Sequence, residues 1–261
     1  MAETGSKVAI VTGAGTGIGL ALVDCLIAND VRVVVVGRTA ASLETIEARY
    51  GAERIAVHAA DVTQPEVPGQ SVELALSRFG RLDYLVNNAG KGKPFPVHET
   101  TDEILAEYLD VLLVAPFRYC REVLPHLQPG SAIVNVASSY ALVGGMRGGA
   151  YSAAKAGIVG LTTHMAAQYG AQGIRSNVVA PGVVETPMTA YNWENERFRR
   201  VNFELTPMNR TCTAADVANA IWYLLSDQAG FINGQVLAVD GGWTSCRYVA
   251  EEALTAKRVA Q

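Results

Sequence analysis

Tyr151 and Lys155 stand four residues apart in a stretch that reads as helix, with Ser138 a short distance upstream. Residues i and i+4 share a helix face, so the Lys155 ammonium can lie beside the Tyr151 hydroxyl. A phenol ionises near pH ~10, and a fixed cation beside it favours the phenolate and lowers that value toward neutrality. The expected chemistry is a phenol that gives or takes a proton while a hydride moves elsewhere. With 10 tyrosines and five lysines in 261 residues, about 0.2 such pairs arise by chance. The pair therefore needs company before it signifies an enzyme.

That company begins with residues 12–19, Thr-Gly-Ala-Gly-Thr-Gly-Ile-Gly, which follow an apolar run at 8–11 and open a helical pattern over 18–28. Glycines permit a tight turn and let backbone N–H groups approach a pyrophosphate, which a helix N-terminus then stabilises. Ser138 follows a strand-like run at 131–137 and could hydrogen-bond a substrate oxygen. Its neighbour Ser139 competes for that role, and strand alternation predicts that one of the two faces the site. Tyr140 is the weaker acid candidate, because no lysine follows it at i+4.

Strand and helix signals alternate from end to end. Strands are expected at 8–11, 31–36, 54–58, 82–86, 131–137, 175–180 and 235–239, with helices between them. The region 103–127 reads as one long helix, kinked or interrupted near Pro116. Near-continuous Val/Ile runs imply a parallel sheet covered on both faces: a single doubly wound α/β domain of Rossmann type, with seven strands, over residues 1–261. Residues 186–211 break the rhythm. They carry Met188, Tyr191, Trp193, Phe198 and Phe203 among Glu194, Glu196, Arg197, Arg199 and Arg200, and are expected to form a substrate lid. A tail follows at about 245–261.

Composition narrows the partners. Hydrophobic residues make up 49% and charged residues 18%, enough for a large core, and a net charge of −4 leaves no basic footprint for nucleic acid or anionic membrane. No apolar run reaches the ~20 residues that span a bilayer. Cys25, Cys120, Cys212 and Cys246 show no metal-ligand or redox spacing, so reduced thiols, no metal and a cytoplasmic location are expected.

Taken in order, the glycine turn, Asp61-Val62, residues 87–90 (Asn-Asn-Ala-Gly), Ser138, Tyr151-x-x-x-Lys155, Pro181-Gly182 and residues 239–242 (Val-Asp-Gly-Gly) resemble the short-chain dehydrogenase/reductase family. The likeness covers roughly residues 5–245. It implies an oxidoreductase that interconverts a secondary alcohol and a ketone with NAD or NADP. Tyr151 would be the general acid/base. Lys155 would lower its pKa and bind the nicotinamide ribose, and Ser138 would hold the substrate oxygen. Around the dinucleotide it places Gly13, Thr16, Gly17, Ile18, Gly19, Arg38, Asp61, Val62, Asn88, Ala89, Gly90, Pro181, Gly182, Val184 and Thr186, together with Tyr151 and Lys155. Asp61 and Val62 are expected at the adenine, and Ile18, Val184 and Thr186 at the nicotinamide. Asn87 could instead only stitch strands, and Asp240 only cap a turn.

Gly37 occupies the position where an NAD site carries a carboxylate, and Arg38 follows it, which favours NADP. Thr16, where many NADP-binding relatives have a second cation, weighs the other way. Many relatives also have Asn within the segment 110–117 that feeds a water chain to the lysine; Leu112 stands there. Candidate substrate contacts are residues 139–147, 91–95 (with Lys91 and Lys93), Val183, Arg147 and the lid aromatics. The aromatics point to an apolar alicyclic or aromatic ketone, the cations to an anionic one. The alternatives are a 3-oxoacyl-thioester reductase and a non-catalytic dinucleotide sensor or scaffold. Helices near 103–127 and 151–170 imply a homotetramer by the same resemblance.

Overall fold

Seven β-branched runs form the strands of the computed structural model: β1 (Val8–Thr12), β2 (Arg32–Gly37), β3 (Ile55–Ala59), β4 (Tyr84–Asn87), β5 (Ala132–Val136), β6 (Arg175–Pro181) and β7 (Val236–Val239). They make one sheet in the order β3-β2-β1-β4-β5-β6-β7, and every pairing is parallel. The order reverses between β1 and β4, which places a crevice at their carboxyl ends. The structure describes residues 5–92, 95–144, 148–199, 202, 206–208 and 210–246. The expectations for Lys93, Arg147, Arg200, Phe203, the Arg197 side chain and residues 247–261 lie outside them.

Helices cover both faces: α1 (Gly17–Ala28), α2 (Ala40–Tyr50), α3 (Val67–Phe79), α4 (Asp102–Leu109), α5 (Ala115–Val123), α6 (Gly149–Tyr169), the short α7 (Glu196–Arg199) and α8 (Ala214–Leu225). Alternation along each strand sorts the core into two layers. Val11, Val33 and Val35 meet Leu22, Leu26 and Ile221 on one side. Ile10, Val34 and Val36 meet Val72, Tyr119 and Met165 on the other. Arg175 ties β6 to α8 by donating to the carbonyls of Leu224, Leu225 and Ser226 at 2.6, 2.9 and 3.1 Å, where helical carbonyls lack internal partners. Among the described residues, no helix is long and apolar enough to cross a membrane.

The long helix expected over 103–127 is interrupted earlier than Pro116. Between α4 and α5 lies a π turn, Asp110–Val114, with the Ala115 N–H bonded to the Asp110 carbonyl. Pro116 has no N–H to give the Leu112 carbonyl, and its ring crowds that turn, so the chain widens just before it.

Candidate active site

The glycine turn leaves β1 at the crevice and enters α1 at Gly17. Thr12 Oγ accepts from the N–H groups of Asn88 and Ala89, both at 3.0 Å, and the Asn88 amide donates to the carbonyls of Thr12 and Gly13. The residues after β4 thus brace the turn from below. A Cβ on Gly13 would come within 2.9 Å of Ala89 Cα, and one on Gly19 would collide with the Gly13 carbonyl oxygen, so this close approach requires glycine at both positions. Among the described residues nothing caps α1 through a side chain: Thr16 makes no such bond and the first turn holds no acid. Its N–H groups and positive end remain for an anion. That donor set fits the pyrophosphate of a dinucleotide.

At the outer end of the crevice, Arg38 is exposed just beyond β2. Asp61 accepts from the Thr63 N–H and Oγ at 3.0 and 2.8 Å. The Thr63 backbone bond, with its hydroxyl and the Arg38 charge, holds the Asp61 carboxyl below its ordinary range. Val62 and Val184 are buried in the core, whereas Ile18 and Thr186 are half-buried. Thr186 rests against Gly17, and Met188 against Gly90 and Gly92, so the start of the 186–211 segment reaches from the glycine turn to the β4 loop. Met188 had stood out in the sequence only as a lid hydrophobe; this bridging role carries no sequence signal.

Ser138, Tyr151 and Lys155 come together as expected. The Ser138 hydroxyl lies near enough to Tyr151 to favour its ionisation, and Lys155 Nζ lies 6.0 Å from the Tyr151 ring centroid. The electrostatics differ from expectation. Burial pushes the Tyr151 hydroxyl above its usual value, outweighing the nearby Ser138 hydroxyl that favours ionisation; the Tyr140 and Tyr108 phenols push it up further. Lys155 is only 5% exposed, donates to the Val136 carbonyl at 2.6 Å, and burial lowers its pKa to about 8. Its cation is anchored on β5.

Apart from the Tyr108 hydroxyl, the residues packed against Tyr151 are apolar. Leu112 is fully buried with Tyr108, Ala150 and Ala154, and Tyr151 packs against this group.

A cleft of about 480 Å³ opens beside Ser138, lined in part by Ser139, Tyr140, Val183, Asn202, Thr206 and Met208. Both Ser138 and Ser139 border it, against the expectation that one would. The extended backbone ends at Ser138 and a 3-10 turn begins at Ser139, so strand alternation no longer applies. Among the described residues, the lid aromatics Tyr191, Trp193 and Phe198 are not in its wall. Trp193 packs edge-on against Phe198 at 6.1 Å, and Tyr191 is exposed. Lys91 is also elsewhere, paired with Glu107 and 4.8 Å from the Tyr108 ring centroid. Asn87 bridges β4 to Asn135 of β5 at 2.8 Å, and Asp240 accepts from the N–H groups of Gly242 and Thr244, so both hold structure.

A family model described as enoyl-(acyl carrier protein) reductase matches residues 13–244. A 2-(R)-hydroxypropyl-CoM dehydrogenase of Xanthobacter autotrophicus is 35% identical, over 92% of this chain and 99% of the relative. A D-threitol dehydrogenase of Mycolicibacterium smegmatis is 34% identical, over 91% and 93%. The crystal structure of a 3-ketoacyl-(acyl-carrier-protein) reductase from Brucella melitensis, complexed with NADH, superposes with a TM-score of 0.84 at 32% identity, covering 91% of this chain and 98% of that one. The fold and site define a dinucleotide-dependent α/β enzyme. The chain belongs to the short-chain dehydrogenase/reductase family and is an NAD(P)-dependent oxidoreductase that interconverts a secondary alcohol and a ketone.

Proposed function

We propose that Ser138, Tyr151 and Lys155 carry this reaction and that NADP is the preferred dinucleotide. The observation that carries the reading is the convergence of Tyr151 and the buried Lys155 on Ser138, which borders the cleft. The overall change is R₂CHOH + NAD(P)⁺ giving R₂C=O + NAD(P)H + H⁺. When bound, the nicotinamide supplies the two-electron transfer. Ser138 holds the substrate oxygen, and Tyr151, kept protonated by burial, gives its proton to a carbonyl oxygen as negative charge builds there. Lys155 offers the nicotinamide ribose an ammonium fixed on β5. Because the floor around Leu112 is apolar, proton exchange with solvent runs on the cleft side, past Ser138.

Gly13, Thr16, Gly17, Ile18 and Gly19 would hold the pyrophosphate and its flanks. Asp61 and Val62 would meet the adenine, Asn88, Ala89 and Gly90 the middle of the cofactor, and Pro181, Gly182, Val184 and Thr186 the nicotinamide end. The exposed Arg38, with no carboxylate at Gly37, supports NADP through charge on the 2′-phosphate. Residues 186–211 serve as the lid. The protein works in the cytoplasm as a homotetramer.

A panel of secondary alcohols and ketones, run with both phosphorylated and unphosphorylated nicotinamides, tests the reading. Turnover should appear on at least one pair, and Tyr151→Phe should bind cofactor yet lose about 10²–10⁴ in kcat. A Tyr151→Phe enzyme retaining more than a tenth of the rate overturns the assignment.

A further inference from the structure

Tyr140 has no task in the reaction as written, yet it is a fixed and unused phenol in the wall of the cleft. Its N–H donates to Ser138 Oγ at 3.2 Å, so its backbone is tied to the hydroxyl that meets the substrate oxygen. Trp243 packs on its ring, centroids 5.9 Å apart at 54°, and the Trp243 N–H is held by the Asp240 carbonyl at 3.2 Å. Ser138 thus meets the Tyr140 backbone, and the Tyr140 phenol lies near enough to Tyr151 to act on its ionisation. Among the described residues the Tyr140 hydroxyl has no hydrogen-bond partner. Burial raises its pKa, so it stays a neutral donor and acceptor through physiological pH.

The charges lining the cleft are already engaged. Arg210 pairs with both carboxylate oxygens of Asp216, at 2.7 and 3.1 Å, and the Asp240 carboxylate accepts from Gly242 and Thr244. What remains near Tyr140 is uncharged: Val183, Met208 and Trp243 beside Ser139 and Thr211, with Asn202 and Thr206 already donating to the carbonyls of Phe198 and Asn202. Such a wall offers an anion no free cation, and a bare hydrocarbon would leave the Tyr140 hydroxyl unpaired.

We propose that Tyr140 is a specificity residue that hydrogen-bonds an oxygen substituent on the carbon next to the reacting one. The preferred substrate class is then an uncharged vicinal diol or hydroxyketone. This rests on reading the cleft beside Ser138 as the substrate site. A site built to bond a substrate hydroxyl rejects the analogue that lacks it, because its own polar group is left unpaired.

The test compares cyclohexane-1,2-diol with cyclohexanol, which differ only in the second hydroxyl. The parent enzyme should favour the diol in kcat/KM. Tyr140→Phe, which keeps the ring on Trp243, should cut that preference at least about tenfold, mainly through a higher KM for the diol. A parent without diol preference, or a variant whose ratio stays within twofold, overturns the proposal. If neither alcohol is turned over, the catalytic reading fails by itself. Dissociation constants for the two alcohols, from quenching of tryptophan fluorescence in both proteins, then decide on Tyr140 by the same ratio.

Discussion

The Lys155 ammonium donates to the Val136 carbonyl at 2.6 Å, two residues before Ser138 in the chain. This bond couples α6, which carries Tyr151, to the strand that delivers Ser138. A lysine at 5% exposure loses much of its hydration, and one carbonyl replaces only part of it. The result is a cation whose position is fixed and whose proton is loosely held.

That loose proton has a measurable consequence for stability. Lysine ionises near 10.5 when unfolded and Lys155 near 8 in the folded protein. Between these values the unfolded chain holds a proton that the folded one has lost, so stability rises with pH, by about 3 kcal/mol over the window. The buried Cys120 thiol and the half-buried Cys25 and Cys212 thiols are pushed the other way and oppose this rise from about pH 9. The difference between the parent protein and Lys155→Met cancels them. Urea melts from pH 7 to 10.5 should show that difference growing above pH 8; a flat difference means that Lys155 is hydrated in solution.

Leu112→Asn tests the apolar floor. The new amide would lie among Tyr108, Ala150 and Ala154 in a fully buried position. Without partners there it should cost about 1–3 kcal/mol of stability and leave kcat no higher. A faster variant of unchanged stability would show that water reaches Lys155 from this side and that proton exchange had been limiting.

These two sites also show what a sequence carries and what it hides. Strand runs such as residues 8–12 and 132–136 are legible because a sheet buried on both faces demands unbroken β-branched stretches. The glycine turn and the Tyr151–Lys155 pair are legible because local geometry sets their spacing. The burial that raises the Tyr151 hydroxyl is a property of the whole fold, and no local spacing shows it. Among the described lid residues, Trp193 and Phe198 pack on one another, and Asn202 and Thr206 border the cleft, a division that no sequence spacing shows. Pro116 announced a break in its helix, but the π turn falls before it, where the missing N–H is felt.

Arg38→Ala addresses the choice of dinucleotide. A charge-assisted bond to a phosphate contributes enough that its loss should raise KM for NADP about 10- to 100-fold, while KM for NAD changes less than threefold. Arg38 is exposed, so the fold should be unaffected. Steady-state kinetics with both cofactors check this, and a parent enzyme with a lower KM for NAD than for NADP refutes the NADP assignment.

Gly19→Ala and Gly69→Ala separate the demands of the glycine turn from ordinary helix propensity, since both glycines lie in helices. A Cβ at Gly19 meets the Gly13 carbonyl and the Asn88 amide, and neither can yield without opening the turn that Asn88 braces. We expect Gly19→Ala to weaken dinucleotide binding more than about tenfold and to cost about 1–3 kcal/mol of stability through overpacking. A Cβ at Gly69 meets nothing within 4 Å. Gly69→Ala should therefore stabilise α3 by about 0.5–1 kcal/mol and leave cofactor affinity alone. Thermal melts with cofactor-fluorescence titrations report both effects. Equal behaviour of the two variants would mean that the turn relaxes freely and that its glycines are not what shapes the crevice.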